Sequence, residues 1–138
     1  MKPVSAVLRS FAAGAFGGAA NVLALIIIWH WFIPGPPQTA DVLKPLLYKQ
    51  MVWGGIWGFA FLIPVMTRNW ALRGVVWGVA ATAVALWVFK VVPVTMTNVI
   101  IGLIVNSGAW GLVASWFYAK SGVAAEPAPA ATAASPGS

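Results

Sequence analysis

Four apolar stretches run along the chain, separated by short segments that contain polar residues or proline. They cover about residues 11–33, 47–66, 71–92 and 98–119. Each has roughly the 20 residues that a helix needs to cross the hydrocarbon core of a bilayer. Pro34 follows the first stretch and Pro93 follows the third, where a helix cannot easily continue. The pattern predicts an all-α integral membrane protein, a four-transmembrane-helix bundle within a single domain of residues 1–122.

A short pattern, small-x-x-aromatic-Gly, recurs once in each stretch, as in Gly54-Gly55-Ile56-Trp57-Gly58. Small residues four positions apart lie on one face of a helix and let two membrane helices approach closely. We therefore predict that the helices pack through small-xxx-small faces. The residues predicted to form these faces are Gly14, Gly18, Gly54, Gly58, Gly74, Gly78, Ser107 and Gly111.

The first and third stretches also resemble each other outside the pattern. Residues 17–25 align without a gap with residues 78–86, and five of the nine positions are identical. One differing position pairs Asn21 with Thr82, both polar. This agreement favours two duplicated helical hairpins, related as parallel repeats. The alternative is chance, because Ala, Gly and Leu recur in any membrane helix.

Composition agrees with a lipid environment. The chain is 61% hydrophobic and only 7% charged, whereas soluble domains carry about a quarter charged residues. Its net charge of +6 comes from scattered basic residues, which does not favour a nucleic-acid partner. Lys and Arg are commoner in loops that face the cytoplasm. With the N-terminus inside, the cytoplasmic segments hold Lys2, Arg9, Arg68, Arg73 and Lys120, and the outer segments hold Lys44, Lys49 and Lys90. We expect both termini in the cytoplasm and a location in the inner (plasma) membrane of a prokaryote.

Two segments outside the spans carry predictions of their own. Residues 40–48 are predicted to form a short interfacial helix, which Pro45 would enter or break. Residues 123–138 are rich in Ala, Pro and Ser, a composition typical of a disordered tail, here on the cytoplasmic side.

The spans contain no acidic residue, since the chain has only Asp41 and Glu126, and there is no Cys. Coupled transport and hydrolysis usually need a buried titratable group, so we expect neither, and we predict that the protein is not an enzyme. No metal site is predicted. The polar residues well inside the spans are Asn21, Thr82, Asn106 and Ser107. They favour interhelical hydrogen bonds, and a polar path is the alternative.

His30 and the deeper tryptophans are the candidate contacts for a cofactor. His30, the only histidine, lies between Trp29 and Trp31 and fits an aromatic interface belt; the alternative is a ligand for haem or a pigment. Deeper tryptophans such as Trp57 and Trp110 favour packing, although such rings also wall sites for a quinone or carotenoid. No cofactor is predicted.

The leading functional hypothesis is a small non-enzymatic membrane protein, an accessory or scaffolding subunit that packs against itself or other membrane subunits in the bilayer. One alternative is an oligomeric passive channel or small carrier for a neutral or lipophilic solute, with the four polar residues along its path. A second alternative is a haem- or pigment-binding subunit that uses His30.

Overall fold

The computed structural model describes residues 3–36 and 38–123, which form four helices and no strand. Helix α1 covers Pro3–Phe32. Helix α2 covers Ala40–Gly58 and continues as a 3-10 helix over Phe59–Leu62. Helix α3 covers Trp70–Ala83 and continues as a π-helix over Val84–Val88. Helix α4 consists of three consecutive segments, Met96–Leu103, the π-helical Ile104–Gly111 and Leu112–Val123.

Three of these helices are long and apolar enough to cross a membrane: Val4–Phe32 in α1, Trp70–Val88 in α3 and Met96–Gly122 in α4. Helix α2 differs because Asp41, Lys44 and Lys49 lie in its first half, which leaves a shorter apolar part.

The helix predicted at residues 40–48 is present, but it is not a short element of its own, because it forms the first half of α2. Helix α2 runs without interruption from Ala40 to Gly58 and includes Pro45. The carbonyl of Thr39 starts the helix by accepting hydrogen bonds from the backbone N–H groups of Val42 (3.1 Å) and Leu43 (3.0 Å). Pro45 removes one helical hydrogen bond, to the carbonyl of Asp41, which the rest of the helix tolerates so near its start.

The helices pack as two antiparallel pairs. Along the first pair, Gly18 lies against Gln50, Gly14 against Gly54, and Ser10 against Gly58, so α2 runs back along α1. Along the second pair, Gly74 lies against Gly111 and Gly78 against Ser107, so α4 runs back along α3. At these crossings backbone contacts backbone, and a methyl group on any of the seven glycines would overlap main-chain atoms of the partner helix.

Helices α1 and α4 join the two pairs. Gly17 of α1 faces Trp110 and Ala114 of α4, and an ideal Cβ on Gly17 would lie 2.8 Å from atoms of both residues. The indole Nε1 of Trp110 donates a hydrogen bond to the carbonyl oxygen of Gly14 (3.0 Å). The contact is antiparallel, since Asn21 reaches Asn106 nearer the other end of the bundle.

The most buried part of the described structure is an aromatic stack between the two hairpins. Phe61, from the 3-10 segment after α2, lies between Trp110 and Tyr118 of α4. Its ring centroid is 5.8 Å from that of Trp110 and 5.5 Å from that of Tyr118, with nearly parallel planes. Phe61, Trp110 and Ala114 are almost completely buried. This stack fills the space between the hairpins at the end where α1 begins and α4 ends.

The predicted tail at residues 123–138 lies outside the described residues, except for Val123, the last residue of α4. Its order is therefore still a prediction.

Candidate functional site

A cavity of about 650 Å³ lies between the two hairpins, and all four helices contribute to its wall. It extends from the aromatic stack to the end of the bundle where α1 ends and α4 begins. The wall is mainly aromatic and aliphatic. Its aromatic residues are Trp29, Trp53, Trp57, Phe89 and Trp110.

Three polar side chains come together at the cavity wall. The amide Nδ2 of Asn21 donates to Oδ1 of Asn106 (3.0 Å), and Nδ2 of Asn106 in turn donates to Oγ1 of Thr82 (3.1 Å). The hydroxyl of Thr82 is 3.0 Å from the carbonyl oxygens of both Gly78 and Gly102, which share its single proton. These bonds connect α1, α3 and α4. We name Asn21, Thr82 and Asn106 the polar triad.

One acceptor in the triad has no donor. Asn21 is only 3% exposed, and its Oδ1 is buried without a hydrogen-bond partner. An unpaired buried carbonyl is costly in an apolar setting, on the order of 1–3 kcal/mol. Asn21 lines the cavity, so a hydrogen-bond donor on a bound molecule would relieve this cost once the side chain shifts to expose its buried oxygen.

The other predicted polar residue lies elsewhere. Ser107 is buried, but it packs against Gly78 at the crossing of α3 with α4 and does not line the cavity. Its hydroxyl has no hydrogen-bond partner among the described residues. The four residues predicted from sequence therefore do not form one continuous polar line.

His30 lies outside the cavity. It is exposed near the end of α1, and its ring meets the ring of Trp31 edge-on with centroids 5.3 Å apart. Lys49 is the one titratable side chain among the described residues that line the cavity. No group of three or more His, Cys, Asp or Glu residues is close enough to hold a metal ion within residues 3–36 and 38–123. The chemistry offered by the cavity is apolar contact, aromatic stacking and hydrogen bonding.

Buried arginine is a feature that the sequence analysis missed. Arg73 lies near the start of α3 and is only 8% exposed. Its Nη2 donates to the carbonyl oxygens of Phe61 and Ile63, the latter at 2.8 Å. These bonds hold the chain that follows α2 and thereby position Phe61 in the aromatic stack. Hydropathy gave no signal for this role, because an arginine at the end of a span is normally exposed.

Comparison of the chain with protein-family models, with curated proteins and with solved structures finds no match. The site must therefore be interpreted from its own geometry.

Proposed function

We propose that this chain is a non-enzymatic integral membrane protein that binds a lipophilic molecule in the cavity between its two hairpins. The observation that carries the proposal is a cavity with mainly apolar walls and one small group of polar residues. Ligand sites in proteins typically have volumes of about 300–1,000 Å³ and combine apolar walls with a few placed polar groups. The 650 Å³ cavity lies within this range.

The polar triad sets the expected chemistry of the ligand. Each of its two amide nitrogens uses one of its two N–H groups within the triad, and Oδ1 of Asn21 lacks a donor. A neutral molecule with an apolar body and a hydroxyl or N–H group matches this arrangement. A cationic ligand does not, because Lys49, the only ionisable residue on the described wall, is itself positively charged. A quinone or carotenoid would have to carry such a donor to satisfy Asn21.

The hydrogen bonds of the polar triad and the aromatic stack favour binding over passive conduction. A path through the protein would continue from the cavity past the triad. There the three side chains bond to one another, and the stack of Trp110, Phe61 and Tyr118 lies beyond them. A small carrier would need this end to open.

An accessory role in a larger complex stays a prediction and has less support. The glycine faces that suggested it contact each other within one chain, so a partner would have to use other helix surfaces.

We also propose that α2 crosses the bilayer with the other three helices and that both termini face the cytoplasm. In support, α2 packs along α1, and the end that holds Arg9 and Arg73 also holds Arg68 and Lys120.

The binding proposal can be tested with bromine-labelled dodecanol, because bromine quenches the fluorescence of nearby indoles and Trp29, Trp53, Trp57 and Trp110 line the cavity. We expect saturable quenching in detergent micelles. The labelled alcohol should bind about fivefold more tightly than labelled dodecane, which corresponds to one hydrogen bond of about 1 kcal/mol.

Two variants of α3 provide the matched comparison. Ala85 lines the cavity, so Ala85→Phe should fill it and weaken binding by about tenfold or more. Val79 is 45% exposed and lies off the cavity, so Val79→Phe should bind like the parent protein. Quenching that never saturates, or that is equal in the two variants, would show partition into the micelle and refute the proposal.

A further inference from the structure

Two arginines meet at one aromatic ring at the end of the bundle where α1 begins and α4 ends, opposite the cavity. The guanidinium carbon of Arg9 lies 4.2 Å from the ring centroid of Tyr118, and that of Arg73 lies 5.4 Å from the same centroid. Arg73 is almost completely buried, and Arg9 is partly buried. We name Arg9, Arg73 and Tyr118 the arginine pair site.

The described residues leave several N–H groups of this site without partners. Nη2 of Arg73 is used by two carbonyl oxygens, but its Nε has no acceptor. Nε and Nη1 of Arg9 have none either. Contact of a cation with an aromatic face contributes only about 0.5–2 kcal/mol. Two neighbouring cations with buried, unpaired donors therefore need further compensation, which an anion supplies best.

Carboxylates of the chain do not supply it within the described residues. The chain has two carboxylate side chains, Asp41 and Glu126. Asp41 lies in the first turn of α2, at the opposite end of the bundle, and Glu126 lies outside the described residues. Arg68 and Lys120, by contrast, are exposed near the same end as the arginine pair and add positive charge.

The position and chemistry of the site select the anion. Arg9 lies near the start of the membrane-length segment Val4–Phe32, and Arg73 near the start of Trp70–Val88. This is the depth at which apolar spans meet lipid head groups. Guanidinium groups match phosphate oxygens with paired hydrogen bonds, and basic sites between membrane helices bind anionic head groups.

We propose that the arginine pair site binds a phosphate group, as carried by an acidic phospholipid. Arg9 is the more accessible of the two arginines, and it contacts the phosphate oxygens through Nη2, because its Nε and Nη1 are buried. Arg73 adds a second positive charge beside the same ring while it keeps its bonds to the chain that follows α2. This site is separate from the cavity and does not depend on the ligand proposed there.

Native mass spectrometry of the full chain in neutral detergent tests the proposal, with phosphatidylglycerol and phosphatidylcholine of equal chain length as probes. We expect the parent protein to retain phosphatidylglycerol with at least about tenfold higher affinity, the effect of a charge-assisted contact worth about 1.4 kcal/mol. Arg9→Gln should remove most of this preference. Arg9→Lys, which keeps the charge but loses the planar fork, should remove part of it.

Arg68→Gln is the matched control, because it removes the same charge at an exposed position on the same end. It should change the preference by less than about twofold, as expected for a screened surface charge. Inorganic phosphate is the second arm: competition at millimolar concentration identifies the free ion as a ligand, and failure to compete identifies the lipid. Both results support a phosphate site.

Three outcomes overturn the proposal. If the parent protein binds the two lipids with equal affinity, it has no preference for the anionic lipid, and this result alone refutes the proposal. Equal losses in Arg9→Gln and Arg68→Gln show a general surface charge effect. A preference that appears only in Glu126→Gln shows that the chain's own carboxylate occupies the site.

Discussion

Replacing Gly14 by alanine adds one methyl group at the closest approach of α1 and α2. An ideal Cβ at this position would overlap the carbonyl oxygen of Gly54 and lie 2.7 Å from Cα and 2.8 Å from N of Gly58. Non-bonded carbon atoms prefer separations of about 3.5–4.0 Å. All three of these atoms are backbone, so no side chain can rotate away, and the helices must separate by close to 1 Å at the crossing.

The expected cost follows from two opposing effects. Forcing extra volume into a packed contact destabilises a protein by about 1–3 kcal/mol. Alanine is intrinsically better than glycine in a helix interior by up to about 1 kcal/mol, which offsets part of this cost. We therefore expect Gly14→Ala to lower the free energy of unfolding by about 1–2 kcal/mol.

Gly108 provides the matched control within the same protein. It also lies inside a helix, but an added Cβ would meet no atom within 4 Å. Gly108→Ala should keep the intrinsic gain and leave the protein as stable as the parent or up to about 1 kcal/mol more stable. Unfolding with a denaturing detergent, followed by far-UV circular dichroism, measures both variants. If Gly14→Ala is no less stable than Gly108→Ala, the close backbone contact assigned to Gly14 is refuted.

Four further substitutions, one of them a control, test other parts of the structure in the same unfolding assay. Asn106→Leu removes both side-chain hydrogen bonds of the central triad residue and should cost about 1–2 kcal/mol at about 1 kcal/mol per bond in a membrane; unchanged stability would contradict the triad. Trp110→Phe keeps an aromatic ring but loses the hydrogen bond to Gly14, with an expected loss of about 1 kcal/mol. Trp87→Phe, at a half-exposed position, should change stability by less than about 0.5 kcal/mol, and equal effects in the two tryptophan variants would argue against the bond. Lys90 has a left-handed backbone with φ of 48°, so Lys90→Gly should stabilise the protein by about 0.5–1 kcal/mol, whereas a loss would show that the lysine side chain has a structural role.

The two proposed sites use different chemistry at opposite ends of one bundle. The cavity combines apolar walls with a neutral polar triad, whereas the arginine pair site is cationic. Phe61 separates them, because it stacks between Trp110 on the cavity wall and Tyr118 at the arginines. The carbonyl bonds of Arg73 position Phe61, so a ligand that displaces Arg73 would also loosen the closed end of the cavity.

The spacing of the glycines predicts which face of each helix packs closely against another helix, but not which helix or residue that face contacts. The gapless alignment pairs Gly17 with Gly78. In the structure Gly17 faces Trp110 and Ala114 across the bundle, whereas Gly78 faces its own hairpin partner at Ser107. The residues that lie at equivalent crossings are instead Gly18 and Gly78. Duplication of the hairpin is therefore still a prediction, because the aligned positions do not share a packing role.

For the polar residues too, the sequence predicts which side chains matter but not which partners they contact. Sequence singled out Asn21 and Thr82 as a matched pair, but their link through Asn106 depends on how α4 lies between α1 and α3. The burial of Arg73 depends on the path of the chain after α2, which no local pattern reveals. At residues 40–48 the sequence left open whether Pro45 lies in the helix or breaks it, and in the structure it lies inside one continuous helix that packs along α1.

Sequence by itself determined the helical class and three of the four predicted membrane-length segments, because both follow from the local succession of apolar residues and helix-ending signals. It also determined the small faces, since a spacing of four residues fixes a face of a helix regardless of the partner. Only the tertiary structure decided that these faces meet within one chain, that a cavity remains between the hairpins, and that two arginines share one ring. Such features depend on the relative positions of distant segments, and the free energy that sets those positions is a sum over the whole packed bundle.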